Sequence, residues 1–471
     1  MRHSEKELNI LIVAYIFILA FILVFNRPIA SDIEKRDLTK FPSFTFGDYF
    51  NGNFNKNLSK WFSDTIPFRD NLVSLSFNIK KLNGIETEFS TNNVVLEEIN
   101  DDEISIEPLS NNNTDNNVVL ASTLSEPMFV ASTEDIATSS NFDIDDVDFD
   151  YAEYDQNKKY LITGKGSDVR VMTVFAGASA MKKEFPETIN AYKEIFSNIN
   201  VYLMVVPTSA AFYCPTELRK YTGDQRKFLD LMIPYLNNKV KFIDVYNVLN
   251  RHADEYIYLR TDHHWAPLGA YYAAEEFARI AGVDFKSLDS YERFDVENYV
   301  GSLYSFSKDD RLKEYPDNFI YYLPKNIAYN TLQCRYVLDD KGKPVSKTDI
   351  KETEFFSQYT YTGEKRGYIV YMGGDQNTTY VNMPNNHTGR NLLILKDSFG
   401  NPVPSFLFYS FDNIVVVDYR YYLDNIAELI RDSSITDILF INNVETAMKD
   451  IASKRYRKFL NLVLNANDMT K

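Results

Sequence analysis

The sequence predicts an α/β protein built on a largely parallel sheet, and three observations point there. From Lys158 onward, strand-like and helix-like runs alternate along the chain, the rhythm of strands joined by helical crossovers. The strands in that alternation read as buried ones, with NLLILKD at 391–397 the strongest. A chain of 471 residues that is 45% apolar has enough material for a sizeable core.

Before the alternation starts, three segments carry other signals. Ile10 to Phe25 is uninterruptedly apolar and Leu8 and Asn9 extend it, giving about the length that spans a bilayer. Asn26, Arg27 and Pro28 follow instead of a small-x-small cleavage site, so residues 1–30 are expected to be a short cytoplasmic tail and an uncleaved transmembrane helix. Arg2 and Lys6 on one side face Arg27, Lys35, Arg36 and Lys40 on the other, so local charge leaves the orientation open. Residues 31–94 form a helical arm: Phe50, Phe54, Leu58, Trp61 and Phe62 recur at helical spacing, DTIPFR at 64–69 breaks the helix at a proline, and a second amphipathic segment follows. Its expected role is to dock the anchor onto the main domain. Residues 95–157 mix acids with Asn, Ser and Thr without a period, as in NNNTDNN at 111–117, the composition of a solvated, disordered insertion.

That insertion also accounts for the charge. The net charge is -16, but 17 of the 66 acidic residues lie between Leu96 and Asp155, where there is no Lys or Arg. The remaining 49 acids balance 50 bases. Nucleic-acid binding is therefore excluded, since phosphate recognition wants clustered Lys and Arg. Two cysteines, Cys214 and Cys334, offer no CxxC spacing; one disulfide or two buried thiols are both open.

Within residues 158–283, Met181–Asn198 reads as a helix, 200–213 as a buried strand and its exit loop, and Gln225–Asn237 as a helix. VKFIDVYNVL at 240–249 reads as a strand, and 266–281 as a helix with Pro267 in its first turn. Residues 390–471 hold the strands 391–397, 413–419 and 436–442. Between them, 284–389 is rich in Tyr, Asn, Asp and Gly with β-type runs, and reads as an inserted β-rich region. Its tyrosines suit stacking on sugar rings as well as ordinary half-buried sheet positions.

Two motifs carry chemistry. In TDHHW at 261–265, Asp262 stands two residues before His264. From an extended loop it can hold the imidazole in the tautomer that accepts a proton at Nε2. His263 is expected to point the other way from the base and is a candidate for substrate or oxyanion binding. In LKDSFG at 395–400, Ser398 stands where an apolar strand turns toward a helix, a position that exposes the hydroxyl at the sheet's carboxyl edge. Asp262 and His264 thus read as the orienter and base of a triad and Ser398 as a candidate nucleophile, although an Asp or Ser before a helix also serves as a simple N-cap. Arg420, after the next strand, and Asn442 or Asn443, after the third, leave the same edge and are candidates for substrate or oxyanion binding. Asp262, His263 and His264 also allow a metal reading, but no HxH or HExxH spacing accompanies them, so neither a metal nor a cofactor is expected.

TDHHW, the upstream NGNFNKNLSKWFSDTIPFRDNLV, the strand exit VPTSAAFY, and LKDSFG with VDYRYY together resemble the bacterial DHHW family, named for that tetrapeptide. That family is similar to the SGNH-like O-acetyltransferases of alginate modification. The resemblance covers residues 35–90, 160–282 and 390–450. It implies a flavodoxin-like sheet of circularly permuted SGNH hydrolase type, because the serine strand follows the Asp and His instead of preceding them. It further implies the triad Asp262, His264, Ser398, with Arg420 on the family's arginine and Asn442 or Asn443 on the asparagine block. The activity implied is O-acyl transfer or ester hydrolysis on O-acetyl groups of a cell-wall or exported polysaccharide, outside the cell membrane. Expected partners are a cell-surface glycan substrate, an acetyl donor or membrane acyl-transfer protein, and the membrane itself. A non-catalytic scaffold in an envelope-polymer assembly is the alternative.

Overall fold

In a computed structural model, residues 27–28, 30–31, 36–67, 152–155, 160–339, 342–359 and 365–468 are described. The apolar run Ile10–Phe25, the second amphipathic segment of the arm and nearly all of the acidic insertion lie outside them. Among the described residues no helix is long and apolar enough to cross a membrane.

The arm's described part is two helices, α1 (Phe46–Phe50) and α2 (Asn53–Asp64). The Thr45 side chain caps the first, and α2 stops at Thr65, two residues before Pro67. Three short strands follow, β1 (Ala152–Asp155), β2 (Tyr160–Thr163) and β3 (Arg170–Thr173), in one antiparallel sheet. Ala152–Asp155, expected to be part of the disordered insertion, is a strand because Tyr160–Thr163 pairs with it residue for residue.

The main sheet begins with β4 (Asn200–Val206) and β5 (Val240–Ile243), each preceded by a helix, α3 (Glu184–Ile195) and α4 (Gln225–Met232). The strand expected over 240–249 ends halfway. Asp244 accepts from the Asn247 N–H and starts helix α5 (Val245–Asn250), which buries Val245, Val248 and Leu249. Next comes α6 (Pro267–Ala281), with Pro267 in its first turn and Gly282 left-handed at its end. Residues 284–389 supply β6 (Tyr291–Tyr299), β7 (Asp317–Pro324), β8 (Asn330–Cys334), β9 (Lys351–Thr353) and β10 (Thr378–Asn382). The chain closes with β11 (Asn391–Lys396), β12 (Asn413–Asp418), α7 (Ile426–Asp432), β13 (Asp437–Asn443) and α8 (Asp450–Asp468).

Eight strands pair in the order β9, β8, β10, β12, β11, β13, β4, β5. The five from β12 to β5 are parallel. Strands β9, β8 and β10 join antiparallel to one another, and β10 joins antiparallel to β12. The sheet is therefore mixed, and the region read as an insertion extends it instead of standing beside it. The parallel strands are apolar on both faces because helices cover both. Met204, Ile394, Val416 and Leu439 pack against Ala270, Ala274 and Phe277 of α6. The alternate residues Leu203, Leu395, Val417 and Phe440 pack against Ile189 and Tyr192 of α3 and Tyr456 of α8. Cys214 and Cys334 are both free and buried.

Candidate active site

Ser398 stands two residues past the end of β11, between the carboxyl ends of β12 and β13. Asp397 shapes its turn: Oδ1 accepts from the Phe399 N–H at 2.9 Å, and Oδ2 accepts from the Asn443 N–H of β13 at 2.8 Å. Burial pushes the Asp397 carboxyl above the usual range, and these amide donors oppose it. Gly400 is required here, because a Cβ would meet the Lys396 Cβ at 2.6 Å.

The TDHHW loop folds back on itself between α5 and α6. Ala266 donates to the Ile257 carbonyl at 2.9 Å, and Tyr258 bridges to Trp265. Buried Asp317 of β7 braces the loop by accepting from Thr261 N at 2.8 Å, Thr261 Oγ1 at 2.7 Å and Arg260 N at 3.1 Å. The Trp265 indole N–H then donates to the Phe399 carbonyl at 2.9 Å, tying this loop directly to the serine turn.

The two motifs meet in one hydrogen-bonded line. His264 Nδ1 lies 2.7 Å from Asp262 Oδ1, and its Nε2 lies 2.8 Å from Ser398 Oγ. With Nδ1–H donated to a carboxylate, Nε2 is the acceptor for the serine proton. Asp262 Oδ2 takes two further donors, the Tyr299 hydroxyl and the Ser302 N–H, each at 2.9 Å. The Tyr368 ring stacks on His264 at 3.9 Å and 8°, and its hydroxyl donates to the Ser398 carbonyl at 3.0 Å. Burial and the Asp262 charge push the Tyr368 phenol well above its ordinary pKa, which keeps it a donor.

A cleft opens over Ser398, lined by His263, His264, Tyr368, Ile369, Asp375, Asn401 and Arg420. Arg420 is 2% exposed. Its Nε and Nη2 are taken by Asp418 at 2.8 and 2.7 Å, and Nη2 lies 2.7 Å from Asp375, which leaves Nη1 for the cleft. Lys396 completes a buried quartet, 2.9 Å from Asp418 and 3.3 Å from Asp375. Burial works against the charge on Arg420, but Asp375 and Asp418 outweigh it and hold the guanidinium protonated. Burial likewise opposes ionisation of Asp375, yet Arg420 and Lys396 pull its carboxyl well below the usual range. Asp375 in turn orients Asn401, accepting from its Nδ2 at 3.2 Å.

Of the residues singled out in the sequence, Asp262, His264 and Ser398 come into direct contact, and Arg420 lines their cleft. His263 does not face away. Its ring lies 3.8 Å from that of His264 and its Nδ1 is 2.5 Å from Ser302 Oγ, because Ser302 draws it to the same side. Asn442 and Asn443 end at the expected sheet edge but do not line the cleft. The Asn443 side chain caps the following turn by accepting from Thr446 N at 2.8 Å, and Asn442 Oδ1 accepts from Tyr456 at 3.1 Å. Sequence reasoning missed Asn401, whose signal was its place three residues after Ser398. It also missed Asp375, Tyr299, Ser302 and Tyr368, which nothing separates from the other polar and aromatic residues of 284–389. Donor atoms of Asp262, His263 and His264 fall within 4.8 Å of one another, so a cation could gather them. Both His264 nitrogens are already engaged by Asp262 and Ser398, and an ion would have to break that line.

The family model described as DHHW protein matches residues 34–417. The chain belongs to the DHHW family. A solved DHHW family protein from Eubacterium siraeum is 33% identical with a TM-score of 0.56, over 64% of this chain and 96% of that one. PatB1 of Bacillus cereus, solved with a sulfonyl adduct, is 18% identical with a TM-score of 0.48, over 64% of this chain and 99% of that one. The O-acetyltransferase domain of Pseudomonas putida AlgJ is 13% identical with a TM-score of 0.32, over 65% of this chain and 98% of that one. Among curated proteins none matches. The tetrapeptide that names the DHHW family is here the loop carrying His264, the carboxylate bonded to it and the indole that fastens both to the serine turn.

Proposed function

We propose that this DHHW protein is an SGNH-like O-acyltransferase or esterase acting on O-acetyl groups of a cell-wall or exported polysaccharide. The observation that carries the reading is the unbroken line Asp262–His264–Ser398. Ser398 Oγ attacks the acyl carbon as its proton passes to His264 Nε2, and Asp262 supports the imidazolium. The ester C–O bond then breaks, and the leaving oxygen takes the proton from Nε2. In the second half, a sugar hydroxyl or water gives its proton to His264 and attacks the serine ester, which frees Ser398. Arg420 Nη1 and Asn401 are the cleft's donors for the charge that develops on the carbonyl oxygen. The order of motifs along the chain supports a circularly permuted SGNH arrangement, in which β11, β12 and β13 are the first three strands of the unpermuted sheet. The glycan, an acetyl donor or donor protein, and the membrane are the partners this reading requires. It places residues 30–471 outside the cytoplasm behind the apolar run Ile10–Phe25. Protease treatment of intact cells checks this, and full protection would refute the placement.

The decisive experiment is hydrolysis of a small acetyl ester by the purified full chain. Ser398→Ala and His264→Ala should each remove activity by several powers of ten while circular dichroism stays unchanged. Asp262→Asn should lower it by about 10⁴-fold, as the wrong-tautomer swap does in serine proteases. His263→Ala should lose far less. Equal activity in a folded Ser398→Ala protein would defeat the reading. The metal reading, favoured by the proximity of Asp262, His263 and His264, instead requires activity that a chelator removes.

A further inference from the structure

The arm carries most of the exposed aromatic side chains among the described residues. Phe41, Phe44, Phe46, Tyr49, Phe50 and Phe62 are all exposed, Phe46 to 74% and Phe50 to 81%. Phe46 and Phe50 stand four residues apart in α1 and share a face. The rings also hold one another: Phe44 meets Phe46 at 5.5 Å and Phe54 at 5.1 Å, and Phe41 meets Trp61 at 4.8 Å. Tyr49 joins Phe44 at 5.9 Å and Phe50 at 5.6 Å, so Phe44, Phe46, Tyr49, Phe50 and Phe54 form one contiguous patch, and contiguous exposed apolar patches mark surfaces that meet something.

What they meet is indicated by Arg27. Its guanidinium lies 4.2 Å from the centres of both the Trp61 and Phe62 rings. Its Nη1 donates to the Phe62 carbonyl at 3.1 Å and to Thr65 Oγ1 at 2.9 Å. Arg27 stands two residues after Phe25, the end of the apolar run that starts at Ile10. The arm is thus clamped to the chain at the place where that run stops. Lys40, Lys56 and Lys60 outnumber Asp48 and Asp64 by one in the same segment.

We propose that the arm lies in the headgroup layer of a lipid bilayer, with its aromatic patch facing the acyl chains. Aromatic rings with basic neighbours favour that layer, where an apolar body and a polar tip are both satisfied. The proposal rests on Ile10–Phe25 being a membrane anchor and adds a second, lateral attachment.

The test uses the full chain carrying Trp61→Phe and Phe50→Trp, reconstituted into phosphatidylcholine–phosphatidylglycerol vesicles. Trp265 is fully buried and supplies a constant background. Flotation reports anchoring, and ester hydrolysis reports folding. If the proposal holds, lipids brominated near the headgroup quench the introduced indole, and acrylamide quenches it less than in detergent. A chain that floats while its indole stays open to acrylamide overturns the proposal and leaves the anchor standing. An indole shielded from acrylamide but untouched by brominated lipid is covered by protein, which also overturns it. A folded chain that does not float defeats the anchor reading and the proposal together.

Discussion

Asp262 divides its two oxygens between different tasks. Oδ1 serves His264, while Oδ2 receives Tyr299 and Ser302. Tyr299→Phe removes one donor from the carboxylate that holds His264, so on the proposed function kcat/KM for a small acetyl ester should fall by about tenfold, the worth of one charge-assisted hydrogen bond. Steady-state kinetics of the folded variant check this, and wild-type turnover would mean that the placing of His264 does not depend on the bond. At this scale the contact among Asp262, His264 and Ser398 was legible, because an Asp two residues before a His and a serine at a strand's end each restrict geometry. Asn442 and Asn443 reach the expected sheet edge, but their side chains turn to Tyr456 and Thr446 instead of the cleft, since an asparagine after a strand serves equally well as a helix cap. Tyr299 and Tyr368 carry no local mark; only the fold brings them to the triad.

The elements were most legible where an apolar run has clear ends, as in β11, β12, β13 and α6. They were least legible where one residue redirects the chain. Asp244 turned a long expected strand into a short strand and a helix, because its side-chain cap satisfies an amide that pairing would otherwise need. The loop after β6 shows how much the region 284–389 contributes to the site. A Cβ on Gly301 would sit 2.3 Å from the Asp262 Cβ and 2.5 Å from Oδ2, so no other residue lets this loop come close enough to deliver the Ser302 amide. Gly301→Ala should push Asp262 off His264, lowering kcat/KM with little change in KM or in the circular dichroism spectrum. Wild-type turnover in that variant would show that the loop yields without disturbing the carboxylate.

For the whole molecule, the buried quartet links stability to acid. Asp375 is held below its unfolded pKa by Arg420 and Lys396 against the opposing effect of burial. Its contribution is therefore present at neutral pH and is lost as pH falls below the ordinary carboxylate range toward the folded value. Asp397, raised by burial, has the opposite sign and gives up stability as pH rises through its folded pKa. Urea midpoints between neutral pH and about pH 3 should fall, and the fall should be smaller in Asp375→Asn. The mixed sheet was only half legible as a whole: its parallel half follows from the strand–helix rhythm, whereas its antiparallel half comes from a region whose short strands gave no clue to their neighbours.

The strand that leads to Ser398 is bordered by β12 and β13, both of which are made after it, while His264, to which Ser398 is hydrogen-bonded, was made 134 residues before it. A ribosome that has released all three triad residues has still not supplied the two walls that hold the serine turn in place, nor the Asn443 amide that fixes Asp397. The proposed triad thus waits on strands that are made after its last member. A protein cut short before Asp437 should carry Asp262, His264 and Ser398 and yet hydrolyse no ester.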